Sequence, residues 1–289
     1  MKRRLLLLLT AAAALGACTS PGGAAIEAPV RDLTHQLITT SLIEEGKTVR
    51  LEILVRKPDG SGPFPTVVFN HGSTGRGDDP SLFGRSWSSS SAADYFVERG
   101  WMVLFPQRRG RGASDGRYDE GFTADRSGYA CEAARSLPGV DRAIEDLDAV
   151  MAHVRTRIDV VQGSILIAGQ SRGGILSVAY AGERPDAFVG VVNFVGGWMG
   201  DRCRDATVIN AATFSRGARF PRRTLWLYGE DDPYYSLSHS KANFAAYVAA
   251  GGKGNFESRR VPGQNSGHTL IAHPHLWREP MDQYLESLR

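Results

Sequence analysis

The run Ser164-Ile165-Leu166-Ile167-Ala168-Gly169-Gln170-Ser171-Arg172-Gly173-Gly174 changes character at Gly169: an apolar segment of strand composition meets a glycine-flanked serine, and a helical pattern follows at once. A serine on so tight a strand-to-helix turn needs small neighbours at minus two and plus two, and Gly169 and Gly173 stand there. The helix behind the turn would aim its N-terminal amides, and its partial positive charge, at the oxyanion formed when Ser171 attacks a carbonyl. Gly-x-Ser-x-Gly alone also suits a glycine-rich structural turn. Here the strand before it and the helix after it supply the context that the motif requires, so Ser171 reads as a candidate nucleophile.

Outward from this turn, apolar or alternating runs at Thr34 to Thr40, Thr48 to Arg56, Thr66 to Asn70, Met102 to Phe105, Ser164 to Ala168, Phe188 to Phe194, Thr224 to Tyr228 and Phe256 to Val261 predict eight strands. The first two alternate and are joined through Glu45-Gly46, which suits an antiparallel hairpin at a sheet edge. Later strands are short, apolar and separated by helical patterns at Ser91 to Arg99, Val140 to Arg157, Ile175 to Gly182, Ser238 to Ala250 and His275 to Leu288. That alternation predicts an α/β protein with a mostly parallel sheet and helices on both faces. Neither an internal repeat nor a second linker is visible. About 270 of the 289 residues, with 42% hydrophobic composition over the chain, suffice for one core, assigned to residues 31–289.

Three further segments carry chemistry. His71-Gly72-Ser73 follows the third strand, where a second oxyanion donor belongs beside the amide of the residue after the nucleophile. The expected donors are the amides of Arg172 and Ser73, with Thr74 as the alternative to Ser73. His71 itself reads as a loop-ordering residue. Gly229-Glu230-Asp231-Asp232-Pro233 follows the seventh strand and offers a carboxylate able to hold an imidazole in one tautomer; Asp232 is favoured, Asp231 second, and Glu230 is read as solvated. His268, in Gly263-Gln264-Asn265-Ser266-Gly267-His268, lies between the last strand and the last helix. His273 and His275 compete with it by position but flank Pro274 at the start of that helix, whereas His35, His153 and His239 have no motif around them.

The order Ser171, Asp232, His268, with His-Gly-Ser upstream and the Arg- and Gly-rich turn Arg108-Arg109-Gly110-Arg111-Gly112-Ala113-Ser114-Asp115-Gly116, resembles the α/β-hydrolases. Within them it is similar to the dienelactone hydrolase and prolyl-oligopeptidase-like group, and the resemblance runs from about Thr34 to the C-terminus. The chain reads His-Gly-Ser where lipases carry His-Gly-Gly-Gly. The resemblance implies an eight-stranded α/β-hydrolase fold, a Ser171–His268–Asp232 triad, an acyl-enzyme intermediate, and no metal or organic cofactor. With about thirty residues between the sixth and seventh strands, no large cap domain is expected, and Ser73 to Ser90 and Pro106 to Gly139 become the binding loops. Trp198 and Met199 are candidates for a substrate pocket or for ordinary packing. An arginine among Arg76, Arg108, Arg109, Arg111 and Arg172 is expected either to grip a substrate anion or to pair structurally with Asp115, Asp119 or Asp125.

The N-terminus reads separately. Lys2-Arg3-Arg4, an apolar stretch from Leu5 to Leu15 and Leu15-Gly16-Ala17-Cys18 resemble a bacterial lipoprotein leader, residues 1–17, with Cys18 as the lipid-bearing first residue and 18–30 as a tether. Thr19 after that cysteine resembles the outer-membrane sorting pattern, which places the domain at the periplasmic face. A plain signal peptide is the alternative. The leader carries three of the 34 basic side chains and none of the 31 acidic ones, so the remainder is balanced and offers no global attraction for nucleic acid. In an oxidising compartment Cys131 and Cys203 are expected to pair, against two unrelated buried thiols.

Three functional classes follow. An esterase acting on small or medium esters fits the compact chain best. A serine peptidase taking short peptides is second, since its prolyl-oligopeptidase-like relatives carry a propeller that has no room here. A non-catalytic binding lipoprotein on the same fold is third.

Overall fold

The computed structural model describes residues 32–289; the leader, Cys18 and the tether lie outside the described residues. Eight strands, β1 (Thr34–Glu44), β2 (Lys47–Arg56), β3 (Phe64–Asn70), β4 (Met102–Pro106), β5 (Val160–Gln170), β6 (Gly190–Phe194), β7 (Thr224–Glu230) and β8 (Gly254–Arg260), form one sheet in the order β1-β2-β4-β3-β5-β6-β7-β8. β1 and β2 make an antiparallel hairpin at the edge, and β2 runs antiparallel to β4. From β4 onward every pairing is parallel. Seven helices accompany the strands: α1 (Pro80–Phe83), α2 (Ser90–Val97), α3 (Ala133–Val154), α4 (Arg172–Glu183), α5 (Ala206–Arg216), α6 (Leu237–Ala249) and α7 (Pro274–Ser287).

Successive side chains on a strand point to opposite faces, and all five residues of β4 and of β6 are buried, so both faces of the central sheet are covered. α2 packs with α7, while α3, α4, α5 and α6 form a second group joined through α4 and α5. The core between these layers is largely aliphatic along β5, with aromatic clusters around Phe69 and Phe105 and around Trp226 and Trp277.

Several elements depart from the sequence expectation. β1 runs on to Glu44, past Thr40, with a register shift between Thr39 and Ile43 that takes up the extra length; Glu45 and Gly46 both have positive φ, as a tight hairpin turn requires. α3 begins at Ala133, not Val140, and runs through Pro138 in its second turn, where the ring removes one helical hydrogen bond without ending the helix. α5 was not expected, because its eleven residues carry only a weak apolar stripe. Cys131, just before α3, and Cys203, just before α5, are joined by a disulfide with Cα atoms 5.1 Å apart.

Candidate active site

Ser171 occupies the single residue between β5 and α4, with φ 57° and ψ −124°, a backbone that side-chain-bearing residues rarely adopt. Its amide donates to the Phe194 carbonyl and its carbonyl accepts from the Gly174 amide, so the turn is held from both sides. The flanking glycines answer to close approach: a Cβ on Gly169 would lie 2.2 Å from the Gly173 oxygen, and one on Gly173 would lie 2.1 Å from the Asn70 oxygen. Strand, turn, helix and the end of β3 are thereby pressed together, which seats Ser171 beside the loop that carries His71 to Ser73.

A second pair of glycines brings the other two groups together. Gly229, near the end of β7, and Gly267 approach so closely that a Cβ on Gly229 would lie 2.0 Å from the Gly267 oxygen. The turn after β7 and the short 3-10 turn Gly267–Ala272 therefore touch, and His268 Nδ1 meets Asp232 Oδ2 at 2.8 Å. The other carboxylate oxygen, Oδ1, accepts the amides of Tyr234 at 2.8 Å and Tyr235 at 3.1 Å. Both carboxylate oxygens of Asp232 are thus engaged, and the imidazole keeps Nε2 for other chemistry. The neighbouring Asp231, at φ 59°, instead accepts the Asn265 amide at 2.8 Å and pins the loop that bears His268.

Ser171, His268, Gly72, Ser73, Thr74 and Arg172 line one cavity of about 330 Å³. Among the described residues no hydrogen bond joins the Ser171 hydroxyl directly to His268; such contacts commonly tighten only around a bound substrate. The backbone amides of Arg172, at the first position of α4, and of Ser73 meet no protein acceptor among the described residues. His71 is buried: Nδ1 donates to the Gly72 carbonyl at 2.7 Å and Nε2 accepts the Arg108 amide at 3.2 Å. Burial, with the Arg108 and Arg111 guanidiniums, holds its pKa well below the ordinary histidine value, so it stays neutral and orders the loop.

Four of the five arginines singled out in the sequence pair with carboxylates among the described residues, and Arg111 does not. Arg108 pairs with Glu120, a buried carboxylate that also faces Arg172 at 3.5 Å. Burial raises the Glu120 pKa and the Arg108 and Arg172 charges lower it; the cations prevail and hold it below the ordinary value. Arg109 pairs with Asp146 and Glu145, Arg76 with Asp78, and Arg111 donates to the Arg85 carbonyl. Structural pairing is thus what Arg76, Arg108, Arg109 and Arg172 show, but not with the expected acids, which is a correction: Asp115 takes Arg50, Asp119 takes Arg126, and Asp125 accepts from Thr123 and Ser127. Arg172 donates to the carbonyls of Trp198 and Glu120 and lies over the rings of Tyr129 and Trp198, 3.3 and 4.4 Å from their centroids.

The rest of the cavity wall escaped the sequence reading. Trp198 and Met199 line it, but so do Trp87, Tyr129, Tyr234 and Tyr235. Tyr234 and Tyr235 pack on the His268 ring at 4.8 and 5.6 Å. Burial keeps the Tyr235 phenol protonated, with its pKa raised despite Arg172 and the Ser171 side chain, and its hydroxyl donates to the Gly197 carbonyl. The signal for these two was present: an aspartate whose side chain caps amides two and three residues on makes those residues part of its turn. His273 and His275 meet edge to face, 6.0 Å between ring centroids, at the start of α7. Among the described residues no three His, Cys, Asp or Glu side chains cluster as a metal site would need.

Sheet order, strand-to-helix serine turn and carboxylate-to-imidazole contact define an α/β-hydrolase. The chain belongs to the serine aminopeptidase S33 family, whose profile matches residues 82–250, a span that includes Ser171 and Asp232 and stops before His268. No curated protein matches the sequence. Among solved structures, a thermostable esterase shares 19% identity at a TM-score of 0.56, over 89% of this chain and 63% of that one, so the chain spans less than two thirds of that esterase. A Klebsiella pneumoniae protein assigned as a dienelactone hydrolase shares 15% identity at 0.55, over 89% and 98%. Est1E of Butyrivibrio proteoclasticus shares 12% at 0.56, over 87% and 98%. At these identities the likeness is one of fold.

Proposed function

We propose that this hydrolase cleaves carboxylic esters of small or medium size through Ser171. In the first step Ser171 Oγ attacks the ester carbonyl carbon while His268 Nε2 takes the hydroxyl proton. The tetrahedral oxyanion is received by the amides of Arg172 and Ser73, a pair of donors each typically worth about 100- to 1000-fold in rate. Collapse breaks the bond to the alcohol oxygen, and the imidazolium returns its proton to that oxygen. Water then attacks the acyl-enzyme, losing a proton to the same nitrogen, and the acid leaves as Ser171 is restored. Asp232 holds Nδ1–H throughout and stabilises the imidazolium.

The observation that carries this reading is the 2.8 Å contact between His268 and Asp232 beside a cavity that Ser171 also lines. A fluorophosphonate probe should label Ser171, located by mass spectrometry, and p-nitrophenyl acyl esters should be turned over. Ser171→Ala should abolish both, and labelling elsewhere or turnover surviving in Ser171→Ala defeats the proposal. The family's description favours a second reading, peptidase action; preferential turnover of aminoacyl amides in the same assay would support it. Anchoring to the bacterial envelope through lipid on Cys18 is proposed from the leader alone, and palmitate incorporation that persists in Cys18→Ser would exclude it.

A further inference from the structure

We propose that the cavity selects neutral esters carrying an aromatic ring close to the scissile carbonyl and rejects substrates charged at that place, including those with a free α-ammonium. The proposal rests on the serine-esterase reading above and names its substrate class. Two observations support it. The first is the wall: Trp87, Tyr129, Trp198, Tyr234 and Tyr235 supply five rings, and Met199 adds a thioether. Three of these rings are held in place by their neighbours. Trp87 stacks on Phe69 at 5.9 Å, Tyr129 stacks on Phe122 at 4.6 Å and lies under the Arg172 guanidinium, and Trp198 is buried. A preformed aromatic wall favours a flat ring through edge and offset contacts that an aliphatic group of equal size does not make.

The second observation is that the charges reaching the cavity are already spent. Among the described residues, Arg172 is the lining side chain with a permanent charge, and it is matched by Glu120, two carbonyl oxygens and two rings. The carboxylate of Asp232 is consumed by His268 and two amides. A substrate carboxylate would have to displace Glu120, and a substrate ammonium would have to displace the imidazole. A charge brought in without such a partner loses its hydration uncompensated. Size sets the scale: 330 Å³, at about 30 Å³ per water-sized group, holds on the order of ten non-hydrogen atoms, the size of a phenylpropanoyl group.

Four ethyl esters test this on the full chain at mildly acidic pH, where amines are protonated. Ethyl 3-phenylpropanoate is the neutral ring-bearing substrate, ethyl phenylalaninate adds an α-ammonium to the same skeleton, monoethyl benzylmalonate adds an α-carboxylate, and ethyl 3-cyclohexylpropanoate saturates the ring. The neutral aryl ester should exceed each charged analogue in kcat/KM by at least about tenfold, and the cyclohexyl ester by about two- to tenfold. Trp87→Leu should narrow the aryl-to-cyclohexyl ratio. An ammonium ester equal to or better than the neutral one overturns the proposal, as does equality of aryl and cyclohexyl esters. The two readings fail separately. If the fluorophosphonate still labels Ser171 and p-nitrophenyl acetate is still cleaved while the order fails, only the selectivity is wrong; if both signals are missing, the esterase reading falls with it.

Discussion

Glu120→Gln removes a negative charge held 2.7 Å from the Arg108 guanidinium and 3.5 Å from that of Arg172, all three side chains being buried. At an effective dielectric near 20, each contact at such distances is worth about 4–6 kcal/mol of attraction. The substitution also removes the desolvation penalty of several kcal/mol that the buried carboxylate carries, and the amide keeps one acceptor, so the net cost is about 3–5 kcal/mol, the usual cost of orphaning a buried partner. That is a fifth or more of the stability of an average domain at about 5–15 kcal/mol. In urea unfolding followed by circular dichroism, with a slope of about 3 kcal/mol/M, the midpoint should fall by about 1–1.7 M. The pH dependence fixes the sign. The Glu120 pKa is depressed in the folded protein, so its contribution is complete above the ordinary glutamate value of about 4.3 and is lost as pH falls through the lower folded value. Wild type and variant should therefore differ fully at pH 7 and converge in acid. A midpoint shift below about 0.2 M, or a gap that widens on acidification, would show that this carboxylate does not hold the two arginines.

Asp232→Asn keeps the two backbone amides capped but offers His268 the wrong hydrogen-bonding partner; kcat should fall by about 10³- to 10⁴-fold with KM close to wild type, and a loss under tenfold would contradict the assigned role. Replacing both Cys131 and Cys203 by Ala opens a loop whose ends are 72 residues apart and should cost about 4 kcal/mol, near 10 °C in Tm. An unchanged Tm in scanning calorimetry would mean that the bridge does not form in the purified protein. Gly173→Ala drives a methyl group into the Asn70 carbonyl, so a loss of more than about 2 kcal/mol is expected, together with slower fluorophosphonate labelling; unchanged labelling would disprove the tight turn.

What could be read from the sequence was governed by local geometry. The turn at Ser171 announces itself because Gly169, Gly173 and the flanking strand and helix are consecutive. The hairpin through Glu45 and Gly46 was legible for the same reason. His268 and Asp232 were found through turns that follow strands in a fixed order, and a sheet gathers such turns at one rim. The cavity wall was less accessible, since Trp87, Tyr129, Trp198 and Tyr234 come from four separate loops whose approach depends on the whole fold. The arginines misled for a related reason: Asp115, Asp119 and Asp125 lie close by in sequence, but packing selects Glu120 and Asp146. α5 was hidden by its weak apolar stripe, and its place is set by packing against α4 and α6.

The backbone at residue 171 has a consequence for how substrates can be discovered. A left-handed φ of 57° suits glycine better than any residue with a side chain. Ser171→Gly therefore takes out the hydroxyl proposed as nucleophile while easing the conformation around it, whereas most disabling substitutions weaken what surrounds them. Immobilised and exposed to a mixture of natural esters, such a silent receptacle would retain intact molecules by complementarity alone, and their release and weighing would let the protein report its own ligand.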